Sequence, residues 1–394
     1  MPEIRVEWLF PDGQGGAPLK KQGIVRLPGT LPGDLVEYRE VSRRGSTAIA
    51  EVLAIIEPSP HRTPPTCRFD AHCGGCDLSE FQTTARRDAL ARIAQQAFHL
   101  DHPPAFEADR GLGRARIKLS LDQGNLGYRA ERSHDLVAVD DCEVARPEVR
   151  SALERLLHWA TPARLKGCTA VEIRSNGERA IFAVSTNEKP HVDWSELTDV
   201  AINGRPIHGD PTLQLSVADL TLRCSPSSFY QVNLEMNAVL LDAVRRWVRK
   251  LQPERLLELY CGIGNLTLPL ARDGWKISAV EREGESVADL RWSAAQAKLQ
   301  VDVVAKPAEK FDPSLVAFDV ALLDPPRAGA PGIIEKLLLN RPKAIVYVSC
   351  DAPSAARDLQ AAWKAGYQLE HVECFDMFPK TRHFETLIIA TRKR

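Results

Sequence analysis

Cys350 closes the run AIVYVSCDAP, where apolar and β-branched residues give way abruptly to Ser349, Cys350, Asp351 and Pro353. The run reads as a buried strand that stops on a thiol, because the switch to turn-forming residues marks a strand end. A thiol in that place is either a small apolar plug or a nucleophile set within reach of a substrate. Other predicted strand ends carry polar or glycine signals too. LLELYCGIGNLTLPLA holds Gly262 and Gly264, which allow the backbone to turn tightly and approach a ligand. AVERE puts Glu281 at the end of the next strand, ALLDPPRAG puts Asp324 at the end of a third, and HFETLIIA holds Glu385. A dinucleotide site wants a third glycine in its turn and a helix N-terminus open to a pyrophosphate. CGIGNL lacks that glycine. A carboxylate such as Glu281 can accept both hydroxyls of a ribose. An adenosyl ligand without phosphates fits better, with S-adenosylmethionine the foremost candidate.

A second set of residues has metal-ligand spacing. Cys67, Cys73 and Cys76 in CRFDAHCGGC stand as C-x5-C-x2-C, with Gly74 and Gly75 leaving the loop free to wrap a cofactor. Three thiolates need a fourth ligand to complete tetrahedral zinc or a cubane cluster, and the spacing leaves both open. Cys142 in AVDDCEVARP is the candidate fourth. The remaining cysteines (Cys168, Cys224, Cys261 and Cys374) read as structural.

Several elements must position these groups. Residues 1 to about 57 alternate short β-rich runs with glycine turns, which predicts a small barrel. EPSPHRTPPTC reads as an extended link, and SEFQTTARRDALARIAQQAFHL as a helix with Ser79 at its N-cap. From DHPPAFEADRGLG to about residue 228 the pattern is strands, turns and one helix near RPEVRSALERLLHWA. After residue 229 strands and helices alternate regularly, which predicts a doubly wound, mostly parallel sheet. The expected fold class is α/β, with a C-terminal Rossmann-like domain, a central α+β domain and an N-terminal β-barrel. The expected domains are 1–58; 59–78 with 105–228; and 79–104 with 229–394.

A formal net charge of −1 gives no global support for a nucleic-acid partner, but a basic groove can sit on a neutral molecule. RGLGRARIK, from Arg110 to Lys118, carries four basic residues and no acid; PKTRHFETLIIATRKR carries five against Glu385 alone. The N-terminus lacks the basic start and apolar core of a signal peptide, and no apolar run approaches the ~20 residues needed to cross a bilayer. The protein is therefore expected in the cytoplasm, without a membrane partner and as a monomer. A reducing compartment argues against a disulfide framework among the nine cysteines.

Together ELYCGIGNLTLPLA, LLDPPRAG, VSCD and FPKTRHFETL resemble the RNA (uracil-C5)-methyltransferases. CRFDAHCGGC is similar to the iron–sulfur motif of that family's bacterial 23S rRNA branch, and LPGTLPGDLVEYREV to the TRAM barrel these enzymes often carry. The resemblance implies Cys350 as nucleophile and Glu385 as base. It implies Gln231, Tyr260, Glu281 and Asp324 at the S-adenosylmethionine site, and a [4Fe–4S] cluster on Cys67, Cys73, Cys76 and Cys142. In one place the chain departs from the family: Lys306-Pro307-Ala308 replaces the polar pattern expected there.

The chemistry of uracil gives these residues a reason. Carbon 5 is a poor nucleophile until a thiolate adds at carbon 6, and a base must then remove the carbon 5 proton before the thiolate can leave. The base must leave its stack to be reached, so a loop or refolded hairpin is the expected substrate. His383 is a secondary candidate for orienting the base or binding phosphate; Phe106, Phe229 and Tyr230 are candidates for stacking. The expected activity is 5-methyluridine formation in 23S rRNA, with the same chemistry on tRNA as the alternative. Amino-group methylation, which DPP alone would allow, has no use for Cys350 or Glu385. An RNA-binding protein that has lost catalysis has no use for the intact set.

Overall fold

The alternation after residue 229 folds as an eight-stranded sheet, in a computed structural model that describes residues 1–20, 23–111, 113–131, 133–188 and 193–393. From edge to edge its strands are Asp302–Ala305, Lys276–Glu281, Arg255–Leu259, Val320–Leu323, Ala344–Ser349, Glu385–Arg392, Tyr367–Phe375 and Ala105–Glu107. The first five are mutually parallel. Glu385–Arg392 runs antiparallel to both of its neighbours. The chain leaves Arg255–Leu259 towards one edge and returns on its other side as Val320–Leu323. That reversal opens a crevice at the carboxyl ends of those two strands, where doubly wound sheets bind their ligands.

The strands read as continuous apolar runs because both faces are covered. Leu256, Val346 and Val348 face a core built with helices Leu234–Leu251, Thr267–Arg272 and Gly284–Gln296. Leu257, Ile345 and Tyr347 face the other side, covered by Thr83–Phe98, Ile333–Leu338 and Ala352–Lys364. Each such side chain contributes about 1.5–3 kcal/mol on burial, so the sheet is a rigid mount for whatever stands at its ends.

Two expectations change. The helix expected to be capped by Ser79 begins at Thr83, with Gln82 in the cap position and no side-chain cap hydrogen bond. Residues before it pair with the preceding link instead: Thr63 N–H donates to Glu80 O at 2.7 Å and Gln82 N–H to His61 O at 2.9 Å. Ala105–Glu107, expected in the central unit, is the last strand of the large sheet, paired with Glu373–Phe375. The hairpin Leu213–Val217/Leu220–Cys224 likewise buries its leucines in the core shared with helix Leu234–Leu251.

The middle of the chain forms a seven-stranded sheet, from Leu136–Ala138 at one edge to Arg205–His208 at the other. Helix Pro147–Trp159 packs on it through Val149, Leu153 and Leu156. Residues 3–57 form a six-stranded sheet around Val6, Val25, Leu27 and Val36 that fits a small barrel. Among the described residues no helix is long and apolar enough to cross a membrane.

Candidate active site

Cys350 occupies a corner between the fully buried strand Ala344–Ser349 and helix Ala352–Lys364. The corner is stiff. Ser349 Oγ donates to Asp351 O at 3.0 Å and accepts from Asp351 N–H at 3.1 Å. Asp351 Oδ1 caps the helix by accepting from Ser354 N–H at 2.9 Å. The thiol is half-buried.

Glu385 begins the neighbouring antiparallel strand. Ser349 pairs with Thr386, whose hydroxyl donates to Ser349 O at 2.9 Å, so the residues one step further, Cys350 and Glu385, stand side by side at the sheet's end. Glu385 is buried, and its Oε2 has no hydrogen-bond partner among the described residues. Burial first, then the charge of Asp324, holds its carboxyl well above the usual carboxylate range. Asp324 follows buried Val320–Leu323 on the next strand. Burial pushes it up to about 7, against a hydrogen bond from Gln231.

The same surroundings oppose thiolate formation. Burial, then the charges of Glu385 and Asp324, push the Cys350 thiol up to about 12; Arg327 pulls the other way. Arg327 also faces His383, whose imidazole is pushed down to about 4 by burial and by Arg327 and Arg382, so it is neutral at physiological pH. Sequence reasoning passed over Arg327, although its place directly after Asp324-Pro325-Pro326 was the signal.

The adenosyl-type features gather at the crevice. Tyr260 ends its strand in a left-handed conformation at φ +62°, followed by Gly262 at +55° and Gly264 at +90°. A Cβ on Gly262 would meet open space, whereas one on Gly264 would lie 2.4 Å from Leu290 Cδ1. The first glycine keeps a cradle open and the second lets helix Gly284–Gln296 pack close. Gly262 N–H donates to Glu281 Oε2 at 2.9 Å, and the other carboxylate oxygen accepts from the amides of Arg282 and Glu283. Tyr260 Oη donates to Glu309 at 3.0 Å. Cys261 is buried inside this turn.

Gln231 reaches Asp324 because its segment is stapled from the middle sheet. The buried Arg174 guanidinium donates to the carbonyls of Pro226 and Ser228. The Tyr230 hydroxyl accepts from Ser175 N–H at 3.0 Å. Nothing in the local sequence marked Arg174. A second missed group, Glu258, did carry a signal, being an acid inside an apolar run. It lies buried beneath the turn, pushed up to about 8 by burial, and accepts from Thr267 Oγ1 at 2.7 Å.

The stacking candidates divide. Tyr230 is buried, and Phe106 is half-buried and packs on Phe384 with ring centroids 5.6 Å apart. Phe229 is 56% exposed, with the Arg116 guanidinium 4.9 Å from its ring. Arg114, Arg116, Lys118, Phe378 and His383 line a groove of about 410 Å³. Of the two basic runs, Leu112 and Arg394 lie outside the described residues. Lys380 and Arg382 are held in internal ion pairs with Glu143 and Asp77.

Cys67, Cys73, Cys76 and Cys142 are all half-buried and free of disulfides. Cys73 feels the charges of Cys142 and Cys67, and Cys76 those of Cys142 and Cys73. The four thiols thus share one locality. Among the described residues no group of three or more His, Cys, Asp or Glu is placed to hold a metal ion.

Residues 208–393 match the tRNA (uracil-5-)-methyltransferase family. The chain is 30% identical to the 23S rRNA (uracil(1939)-C(5))-methyltransferase RlmD of Dichelobacter nodosus, over 99% of each. It is 32% identical to the Shewanella woodyi enzyme of the same name, over 93% of this chain and 90% of that one. Among solved structures, the tRNA (uracil-54, C5)-methyltransferase of Pyrococcus abyssi, in complex with S-adenosyl-L-homocysteine, aligns with a TM-score of 0.79. That alignment covers 99% of this chain and 100% of the other at 21% identity, a likeness of fold.

Proposed function

The chain belongs to the RNA (uracil-C5)-methyltransferase family, and from that premise we propose that it methylates carbon 5 of a uridine in 23S rRNA. The observation that carries this reading is the side-by-side placement of Cys350 and Glu385 on adjacent strand ends, next to Asp324. S-adenosylmethionine, when bound, supplies an electrophilic methyl group on a sulfonium. Gln231, Tyr260, Glu281 and Asp324 would hold it, a role supported by the open space at Gly262 and the fixed Glu281 carboxylate.

Cys350, once its S–H proton has passed to solvent, adds as a thiolate to carbon 6 of the flipped uracil; the C5–C6 π electrons shift towards the C4 oxygen as an enolate, which makes carbon 5 nucleophilic. After methylation, Glu385 takes the carbon 5 proton. The electrons of that C–H bond form the C5–C6 double bond, the C6–S bond breaks, and the thiolate leaves. Glu385 suits the task because burial makes its carboxylate a stronger base than an exposed one.

The four cysteines we read as ligands of a [4Fe–4S] cluster. A mononuclear site with metal–sulfur bonds of about 2.3 Å needs tight convergence of its thiolates, whereas a cubane spreads them over four irons. Four free thiols that share one locality supply the four thiolates that such a cluster needs. Residues 1–58 we read as a TRAM-type RNA-binding barrel, 59–78 with 108–212 as the cluster-bearing unit, and the remainder as the methyltransferase domain. A cytoplasmic monomer acting on RNA completes the reading.

The test is incubation with labelled methyl donor and separate 23S rRNA and tRNA, followed by mapping of the modified nucleotide. Wild type is expected to form 5-methyluridine in 23S rRNA; label confined to tRNA transfers the same chemistry to that substrate. Cys350→Ala is expected to be inactive, and Glu385→Gln to accumulate a protein–RNA adduct on denaturing gels. Full activity of Cys350→Ala overturns the mechanism. Iron and sulfide without zinc in the purified protein identifies the cluster.

A further inference from the structure

The base Glu385 stands at the end of a connection, residues 376–384, that is gripped from outside its own sheet. Two grips come from helix Thr83–Phe98: buried Arg86 pairs with Asp376 and donates to Thr381 O at 2.9 Å. The others come from the cysteine-bearing segments. Leu78 N–H donates to Lys380 O at 3.0 Å. Asp77, its side chain only 8% exposed, accepts from Arg382 N–H at 3.0 Å through Oδ1 and pairs with the Arg382 guanidinium through Oδ2. Lys380 Nζ donates to Thr66 Oγ1 at 3.0 Å and pairs with Glu143, which also accepts from Thr66 Oγ1 at 2.7 Å.

These partners are adjacent in sequence to the thiols. Thr66 precedes Cys67, Asp77 follows Cys76 and Glu143 follows Cys142. Three of the four cysteines are therefore one peptide bond from a residue that grips the connection. From Arg382 the chain runs through His383 and buried Phe384 directly into Glu385. Lys380 holds a left-handed backbone at φ +63°, a conformation that a non-glycine residue keeps only when its surroundings impose it. Cys350 stands on a different mount, the corner capped by Asp351, which none of these bonds touches.

We propose that Asp77 and Lys380 are positioning residues for the catalytic base, making the four-cysteine node the anchor that holds Glu385 against the substrate. The proposal rests on the reading of Glu385 as base. It separates the two halves of the reaction. Loosening the anchor displaces the group that removes the carbon 5 proton but leaves the thiol that adds to carbon 6. The enzyme then forms its covalent adduct and is slow to resolve it.

The experiment uses the full chain with its cluster and measures, for Asp77→Ala and Lys380→Met, turnover and the steady-state fraction of denaturation-resistant protein–RNA adduct. Iron content, visible absorbance and thermal midpoint are recorded for each. Turnover is expected to fall about tenfold, the size of one lost charge-assisted hydrogen bond. The adduct fraction is expected to rise several-fold, iron content to stay at the wild-type level, and Asp77→Asn to recover part of the loss by keeping an acceptor for Arg382 N–H. Variants that lose turnover with no rise in adduct overturn the proposal, as does unchanged turnover in both. If Glu385→Gln itself forms no adduct, the underlying reading of the base has failed instead.

Discussion

At the level of single residues the site combines a thiol that resists ionisation with two carboxyl groups that do the same. Asp324 and Glu385 are both held above their ordinary range by burial, and each ionisation adds a charge next to the other. A carboxyl with a raised folded-state value stabilises the fold fully below its unfolded value, and that contribution is lost as pH rises through the folded one. For Asp324 the window runs from about 4 to about 7. The ligand-free Asp324→Asn protein is therefore expected to melt several degrees above wild type at pH 8, with the gap closing by pH 4. Calorimetry across that range checks it, and a gap that widens towards low pH would contradict the buried-acid picture. Arg327 gives the complementary case. It is the cation that pulls the Cys350 thiol down, so Arg327→Ala is expected to slow alkylation of the Cys350 peptide by iodoacetamide at pH 8, about threefold for each unit of thiol pKa once the higher nucleophilicity of the remaining thiolate is counted. Peptide mass spectrometry follows Cys350 apart from the other cysteines, and an unchanged rate would show that Arg327 does not govern the thiol.

At the level of elements, the crevice depends on a turn whose two glycines do different work. Gly264→Ala brings a methyl group into Leu290 and holds an L-residue at φ +90°, so it is expected to cost about 2–4 kcal/mol in urea unfolding. Gly262→Ala meets no neighbour and adopts an ordinary left-handed conformation, so it costs about 1 kcal/mol. Equal costs would mean the turn has no close helix to accommodate. The two glycines, Glu281 and Asp324 were legible because each punctuates an apolar run, and strand ends are where a doubly wound sheet places chemistry. The anchors were not legible. Arg86 and Asp376 form a fully buried ion pair; Asp376 stands inside the apolar run CFDMF, but Arg86 lies among the polar residues of its helix and nothing in either segment names the other. Pairing across that separation is a property of packing, so no local pattern announces it. Arg86→Met strands a buried carboxylate beside the connection to Glu385. It is expected to destabilise the protein by about 3–5 kcal/mol, with Arg86→Met/Asp376→Asn recovering much of the loss.

At the level of the whole molecule, a chain of net charge −1 must still approach a polyanion, and the distribution of charge decides how. What the basic run from Arg110 to Lys118 can do depends on the sheet that carries it. Arg116–Asp122 turns Arg116 and Lys118 to one face, where they line the groove that ends near His383. The C-terminal run looked equivalent in sequence, yet Lys380 and Arg382 are neutralised by Glu143 and Asp77 and serve the anchor instead. Within the groove Arg116 is partly engaged by Glu172 at 3.3 Å and half-buried Arg114 donates to Gly75 O at 3.3 Å, leaving exposed Lys118 as the cation with most to gain from a phosphate. Lys118→Gln is therefore expected to weaken binding of an RNA stem-loop and to flatten the plot of log affinity against log salt by about 0.7, the contribution of one contact to a single-stranded phosphate. Lys364→Gln, on the last turn of helix Ala352–Lys364 and outside the groove, removes the same charge and should leave that slope alone. Fluorescence anisotropy over a potassium chloride series distinguishes the two. Equal losses in both variants would mean that RNA responds only to the total charge of the protein. A change in Lys118→Gln alone would place a phosphate of the bound RNA in this groove.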